Sequence, residues 1–148
     1  MRSYQIYWIR EEFANYFYGR ERNFYQLFFD GCSSENEKQT IVDKQICYIT
    51  KRFEVEAIEN ILLHSLAESN RIRKADDGSF KLQLSNGKGE AILYLQPKSL
   101  LLQALGSYET EAVIFHALKK LDDCLFAVDF ERKNYGWLKP VKKELLLN

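Results

Sequence analysis

Charge of either sign is in no excess here: lysine and arginine together number 21, and so do aspartate and glutamate. A general nucleic-acid binder usually carries a basic surplus to neutralise phosphates, so this balance argues against one. No run approaches the roughly 20 apolar residues that a membrane helix needs. The opening Met1-Arg2-Ser3-Tyr4 leads into no long apolar stretch of the kind that marks a signal peptide. Cysteine is confined to Cys32, Cys47 and Cys124, an odd number with no CxxC pair. Reduced thiols in a cytoplasmic protein are the simpler account, with core filling as their expected role. Those cysteines and the two histidines, His64 and His116, lack the close spacing of a zinc site. GxGxxG is absent, and Gly87-Lys88-Gly89 departs from the GxxxxGK-Ser/Thr phosphate loop, so no cofactor is expected. There is no internal repeat, no low-complexity tract and no linker long enough to divide the chain.

The 148 residues are 46% apolar and 28% charged, which suits one globular domain spanning 1–148. Ser3 to Ile9 is β-branched and aromatic and reads as a strand. A helix is expected from about Arg10, with Glu11 and Glu12 at its start, Phe13 and Phe17 on one face, and Gly19 as its C-cap. A second helix runs from Glu21 and should stop at Gly31, with Phe24, Leu27 and Phe28 as its apolar stripe. Ile41, Ile46 and Ile49 are apolar positions of a third helix, and Val55 to Leu66 makes a fourth. Phe80, Leu82 and Leu84 alternate with polar residues as in a half-buried strand. Strands over Ala91–Leu95 and Ser99–Ala104 complete a three-stranded meander. Tyr108 to Leu121 is a helix, and Cys124 to Phe130 a buried strand. The expected fold is α/β, α+β-like, with a mixed β-sheet flanked by helices.

Aromatics are generous, and eleven of the 21 lie in the first 29 residues. Successive helical residues are about 100° apart, so Tyr16-Phe17-Tyr18 fan across about 200° and one core-facing stripe cannot take them all. At least one ring must face water, and Phe28-Phe29 repeats the pattern. Clustered exposed aromatics suit a contact surface, because such residues dominate binding hot spots. Neighbouring rings tucked into separate pockets are the alternative. In the tail, Tyr135, Trp137 and Pro140 either strap onto the core or form a stiff edge, and Arg132, Lys133, Lys139, Lys142 and Lys143 make it locally basic.

Catalysis has no local signature. His64 and His116 stand without an adjacent nucleophile, and Asp122, Asp123 and Asp129 have the look of ordinary surface acids. An enzyme using His116 or Cys124 in a cleft stays open as an alternative, as does binding of origin DNA through the basic tail.

Several segments resemble the SirA family of sporulation inhibitors of replication. They are Glu11-Glu12-Phe13-Ala14-Asn15 with Gly19-Arg20-Glu21, then Lys44-Gln45-Ile46 with Tyr48-Ile49-Thr50. Leu118-Lys119-Lys120, Ala127-x-Asp129-Phe130 and Tyr135-Gly136-Trp137-Leu138-x-Pro140-Val141-Lys142 follow in the same order. The stretch from about Phe53 to Ser107 matches poorly, so the resemblance is patchy there. The resemblance implies a non-catalytic α/β protein that binds domain I of the initiator DnaA and restrains chromosome replication as endospore-forming bacteria commit to sporulation. It also implies Phe13, Phe17, Gln45 and Pro140 as partner-binding residues. The family pattern has tyrosine where this chain has Phe17 and phenylalanine where it has Tyr18, so Tyr16 and Tyr18 join the candidate set.

Overall fold

The computed structural model describes residues 1–33, 37–66 and 71–138. Its strands form one sheet in the order β3-β4-β5-β6-β1-β7-β8, with β2 attached to β1. These are β1 Arg2–Ile9, β2 Thr50–Lys51, β3 Arg71–Lys74, β4 Phe80–Gln83, β5 Gly89–Leu95, β6 Leu100–Gly106, β7 Leu125–Asp129 and β8 Asn134–Trp137. The helices are α1 Glu11–Tyr16, α2 Glu21–Ser33, α3 Glu37–Ile49, α4 Val55–Leu66 and α5 Glu109–Leu118. The sheet is antiparallel and is flanked by helices, an α+β arrangement.

Alternation along the strands sorts side chains onto two faces. Ile6, Leu82, Leu93, Leu102 and Leu125 point to one face, where Ile58 and Leu62 of α4 and Ile114 and Leu118 of α5 cover them. On the other face Tyr7, Ile9, Phe126 and Val128 meet Phe24 and Phe28 of α2. Tyr7 and Phe28 stack at 3.8 Å between centroids. This second core lies over β1, β7 and β8. Across β4 and β5 the same face carries the exposed Lys81, Gln83 and Glu90.

A polar network pins β1 to α5. Arg2 Nη2 donates to Glu111 Oε1 at 2.7 Å and to the Ser107 carbonyl at 3.1 Å, and Arg2 Nε donates to Glu111 Oε2. The Tyr4 hydroxyl donates to Glu111 Oε2 at 2.8 Å. Burial pushes the Glu111 carboxyl up, but the bonds from Arg2, its backbone and Tyr4 outweigh it, so its pKa lies below the usual range. Burial and the same carboxylate push Tyr4 up to about 12.

Several expectations change. Helix α2 passes Gly31 and ends at Ser33, because this glycine lets Ile46 of α3 approach: a Cβ there would lie 2.6 Å from Ile46 Cδ1. Helix α5 is shorter than the pattern, since the Lys120 and Leu121 amides bond three residues back and close it as a turn. Strand β3 has a single apolar residue in RIRK, as befits a charged sheet edge, and so gives no alternating signal. Strand β8 sits in what reads as a tail, and β2 has two residues. Cys32 and Cys47 are exposed and Cys124 half-buried, so core filling does not describe them; all three are free thiols. Asp129 is buried rather than a surface acid, accepting from the Arg132 amide at 3.1 Å and pairing with its guanidinium. Ile41, expected as an apolar packing position, is 60% exposed.

Candidate functional site

Helices α1 and α3 are fixed at one point of the sheet. Strand β1 leads directly into α1, and α3 leads into β2, which pairs with β1 through Ile9 and Thr50. The Arg10 amide donates to the Ile49 carbonyl at 2.8 Å, tying the start of α1 to the end of α3. Thr50 Oγ1 donates to the Ile46 carbonyl at 2.7 Å and closes the helix end. Residues of α1, α2 and α3 together line a groove at this junction.

This groove encloses about 490 Å³. Phe13, Phe17, Phe24, Leu27, Tyr48 and Ile49 give it an apolar lining, and Asn23, Lys44 and Gln45 add polar groups. Phe13 meets Tyr48 edge-on at 5.2 Å, linking α1 to α3. Phe17 meets Tyr16 at 4.9 Å and Phe24 at 5.3 Å. Phe24 in turn touches Phe126 and Trp137, so the rings run without a break from the groove into the second core. Trp137 also donates through Nε1 to Glu21 Oε1 at 3.2 Å, which fastens β8 to the start of α2. A second depression, of about 840 Å³, lies over the uncovered part of the sheet around Lys81, Gln83 and Gln103. It holds none of the candidate residues.

Phe13, Phe17 and Gln45 thus meet in one groove although they come from separate helices. Phe17 sits at the C-cap position of α1, just past the helix, and is half-buried like Phe13. Tyr16 is 70% exposed and reaches the groove through its contact with Phe17. Tyr18 is 39% exposed and is not part of the lining. Pro140 lies outside the described residues, as do Lys139, Lys142 and Lys143 of the basic tail. Tyr48, 70% exposed, was not among the sequence candidates. Its signal was there to find: it stands one helical turn beyond Lys44 and Gln45, and shares their face.

His64 and His116 are exposed on α4 and α5. Burial, then Asp122, Glu11 and Asp123, push the Cys124 thiol up, which favours the unreactive protonated form. Asp122 is engaged in structure, accepting from Trp8 Nε1 at 2.8 Å. Among the described residues no group of three or more metal-ligating side chains occurs, and no helix is long and apolar enough to cross a membrane.

Fold and groove together define a small α/β protein with an aromatic-walled cleft lined by residues of α1, α2 and α3. The family model of the sporulation inhibitor of replication protein SirA matches residues 2–142. The curated protein of that name from Bacillus subtilis (strain 168) is 35% identical over 148 residues, covering 96% of this chain and 96% of its own. The chain belongs to the SirA family.

Proposed function

We infer that this chain is a non-catalytic inhibitor of replication initiation during sporulation, acting in the cytoplasm by docking its α1–α3 groove onto domain I of DnaA. One observation carries the reading: Phe13, Phe17 and Gln45, the residues that the family resemblance implies, line a single groove whose edges hold the exposed rings of Tyr16 and Tyr48. An apolar, aromatic recess with a few polar groups at its rim is the composition of a protein-binding hot spot. The name of the Bacillus subtilis relative, an inhibitor of replication, supports the class of action. In this reading the aromatic walls supply affinity and Gln45 a directional hydrogen bond. Phe17 keeps the ring of the family's tyrosine without its hydroxyl, so its contribution is apolar.

The test is a titration of the purified protein against isolated DnaA domain I, with Phe13→Ala alongside. The wild type should bind. The variant should keep its circular dichroism spectrum and lose about 2 kcal/mol or more, roughly thirty-fold in Kd. A folded wild type that does not bind would end the assignment of this partner.

A further inference from the structure

We propose that Lys44 is a specificity-determining residue of the groove, and that the groove takes a protein surface whose apolar side chains stand beside a carboxylate. This rests on the docking reading above and adds to it the chemistry required of the partner. Among the described residues, Lys44 is the one charged side chain that lines the groove. It is exposed, and among the described residues no ion pair engages it. Large apolar side chains flank it on its own helix face. Ile41 and Tyr48, three residues before and four after it on α3, are 60% and 70% exposed, and Phe13 packs on Tyr48 across the groove.

A lysine in that position is costly to cover. An apolar partner closing over Ile41, Tyr48 and Phe13 would strip water from the ammonium group and give nothing back. A partner carrying Asp or Glu at that point replaces the lost water with a charge-assisted hydrogen bond. Gln45, next along the helix, can donate or accept and so does not discriminate by sign. Lys44 therefore distinguishes an acid-flanked apolar surface from a merely apolar one. Because the group lies at the rim, its effect should appear in the association rate and in the dependence on salt.

The experiment measures the affinity of wild type, Lys44→Met, Lys44→Glu and Lys44→Arg for isolated DnaA domain I at about 50 and 300 mM salt, where screening lengths differ about two-fold. Methionine preserves the apolar stem and removes the charge, so the sign of its effect decides the question. Lys44→Met should bind about five-fold more weakly at low salt, with a much reduced salt dependence. Lys44→Glu should be about ten-fold weaker or worse, and Lys44→Arg close to wild type. If Lys44→Met binds as tightly as wild type or tighter, or retains the wild-type salt dependence, Lys44 reads no carboxylate and the inference falls while the docking reading stands. If the wild type itself binds at neither salt, both fall together.

Discussion

Phe13, Phe17 and Tyr16 are close in sequence but differ in how much of each ring the fold itself uses. Tyr16 is 70% exposed and touches Phe17 alone among the described rings. Tyr16→Ala should therefore change unfolding free energy by no more than about 0.5 kcal/mol. Phe17 is half-buried against Phe24, and Phe17→Ala should cost about 1–2 kcal/mol of stability. Urea unfolding separates the two, and a Phe17→Ala protein that remains folded is the right reagent for binding studies. Glu111 shows the opposite arrangement, a carboxylate whose whole role is internal. Its folded-state pKa lies below its unfolded value, so it adds stability above about pH 4 that is lost as pH falls through the folded pKa. Glu111→Gln leaves the Arg2 guanidinium without its counter-charge, and should cost about 3–5 kcal/mol at neutral pH. It should also flatten the acid limb of the stability profile, measured by urea unfolding at a series of pH values from 7 down to about 2.

At the level of elements, two glycines hold the architecture in different ways. Gly31 brings α2 against α3, but the atom that an added methyl would meet is the flexible end of Ile46. Ile46 can swing aside, and alanine has the better helix propensity, so Gly31→Ala should fall within about 1 kcal/mol of wild type. Gly106 ends β6 at φ +86, and a Cβ there would stand 2.3 Å from the Lys88 carbonyl oxygen, which is backbone and cannot yield. Gly106→Ala should lose about 3 kcal/mol or more, combining left-handed strain with steric conflict. Thermal melting of the pair gives the contrast directly. Strand β8 depends on side chains more than on its four residues of ladder. Trp137, placed on Phe24 and Phe126 and bonded to Glu21, is what joins it to the helix that floors the groove.

For the molecule as a whole, the sheet separates a well-covered side from a partly covered one. Helices α4 and α5 cover β4, β5, β6, β1 and β7 from one face, whereas the α1–α3 layer covers β1, β7 and β8 from the other. Helix α1 has six residues, of which Ala14 alone is fully buried, so its hold comes from the sheet junction and from its rings. Hydrogen exchange should be slowest in β1 and β7, which are paired on both edges and covered on both faces, and fastest in α1. Addition of DnaA domain I should raise protection over residues 11–17 and 41–49 and leave β3 to β5 unchanged. Protection appearing over β4 and β5 instead would move the docking surface to the open face of the sheet.

Much of the fold was legible from local patterns, because burial of one face imposes its period on the sequence. Alternation located β4, the four-residue face repeat located α4 to the residue, and the solid apolar run located β7, buried at every position. Rings of Tyr16 and Tyr18 do face water, but α1 ends at Tyr16, so the turn that follows it and not a helical fan places Phe17 and Tyr18. What failed locally were elements that owe their existence to a neighbour: β3 and β8, which are strands because β4 and β7 pair with them, and Gly31, a spacer rather than a stop. The same limit applies to the groove. Periodicity states which side of a helix is apolar, but not what that side faces. Phe13 and Tyr48 meet because α1 leaves β1 where α3 returns to it, which also brings Lys44 into the same groove. The sequence by itself determined the α/β class and the surplus of rings; the crossing of α1 and α3 at the sheet, a long-range event with no local signal, decided that they would form one cleft.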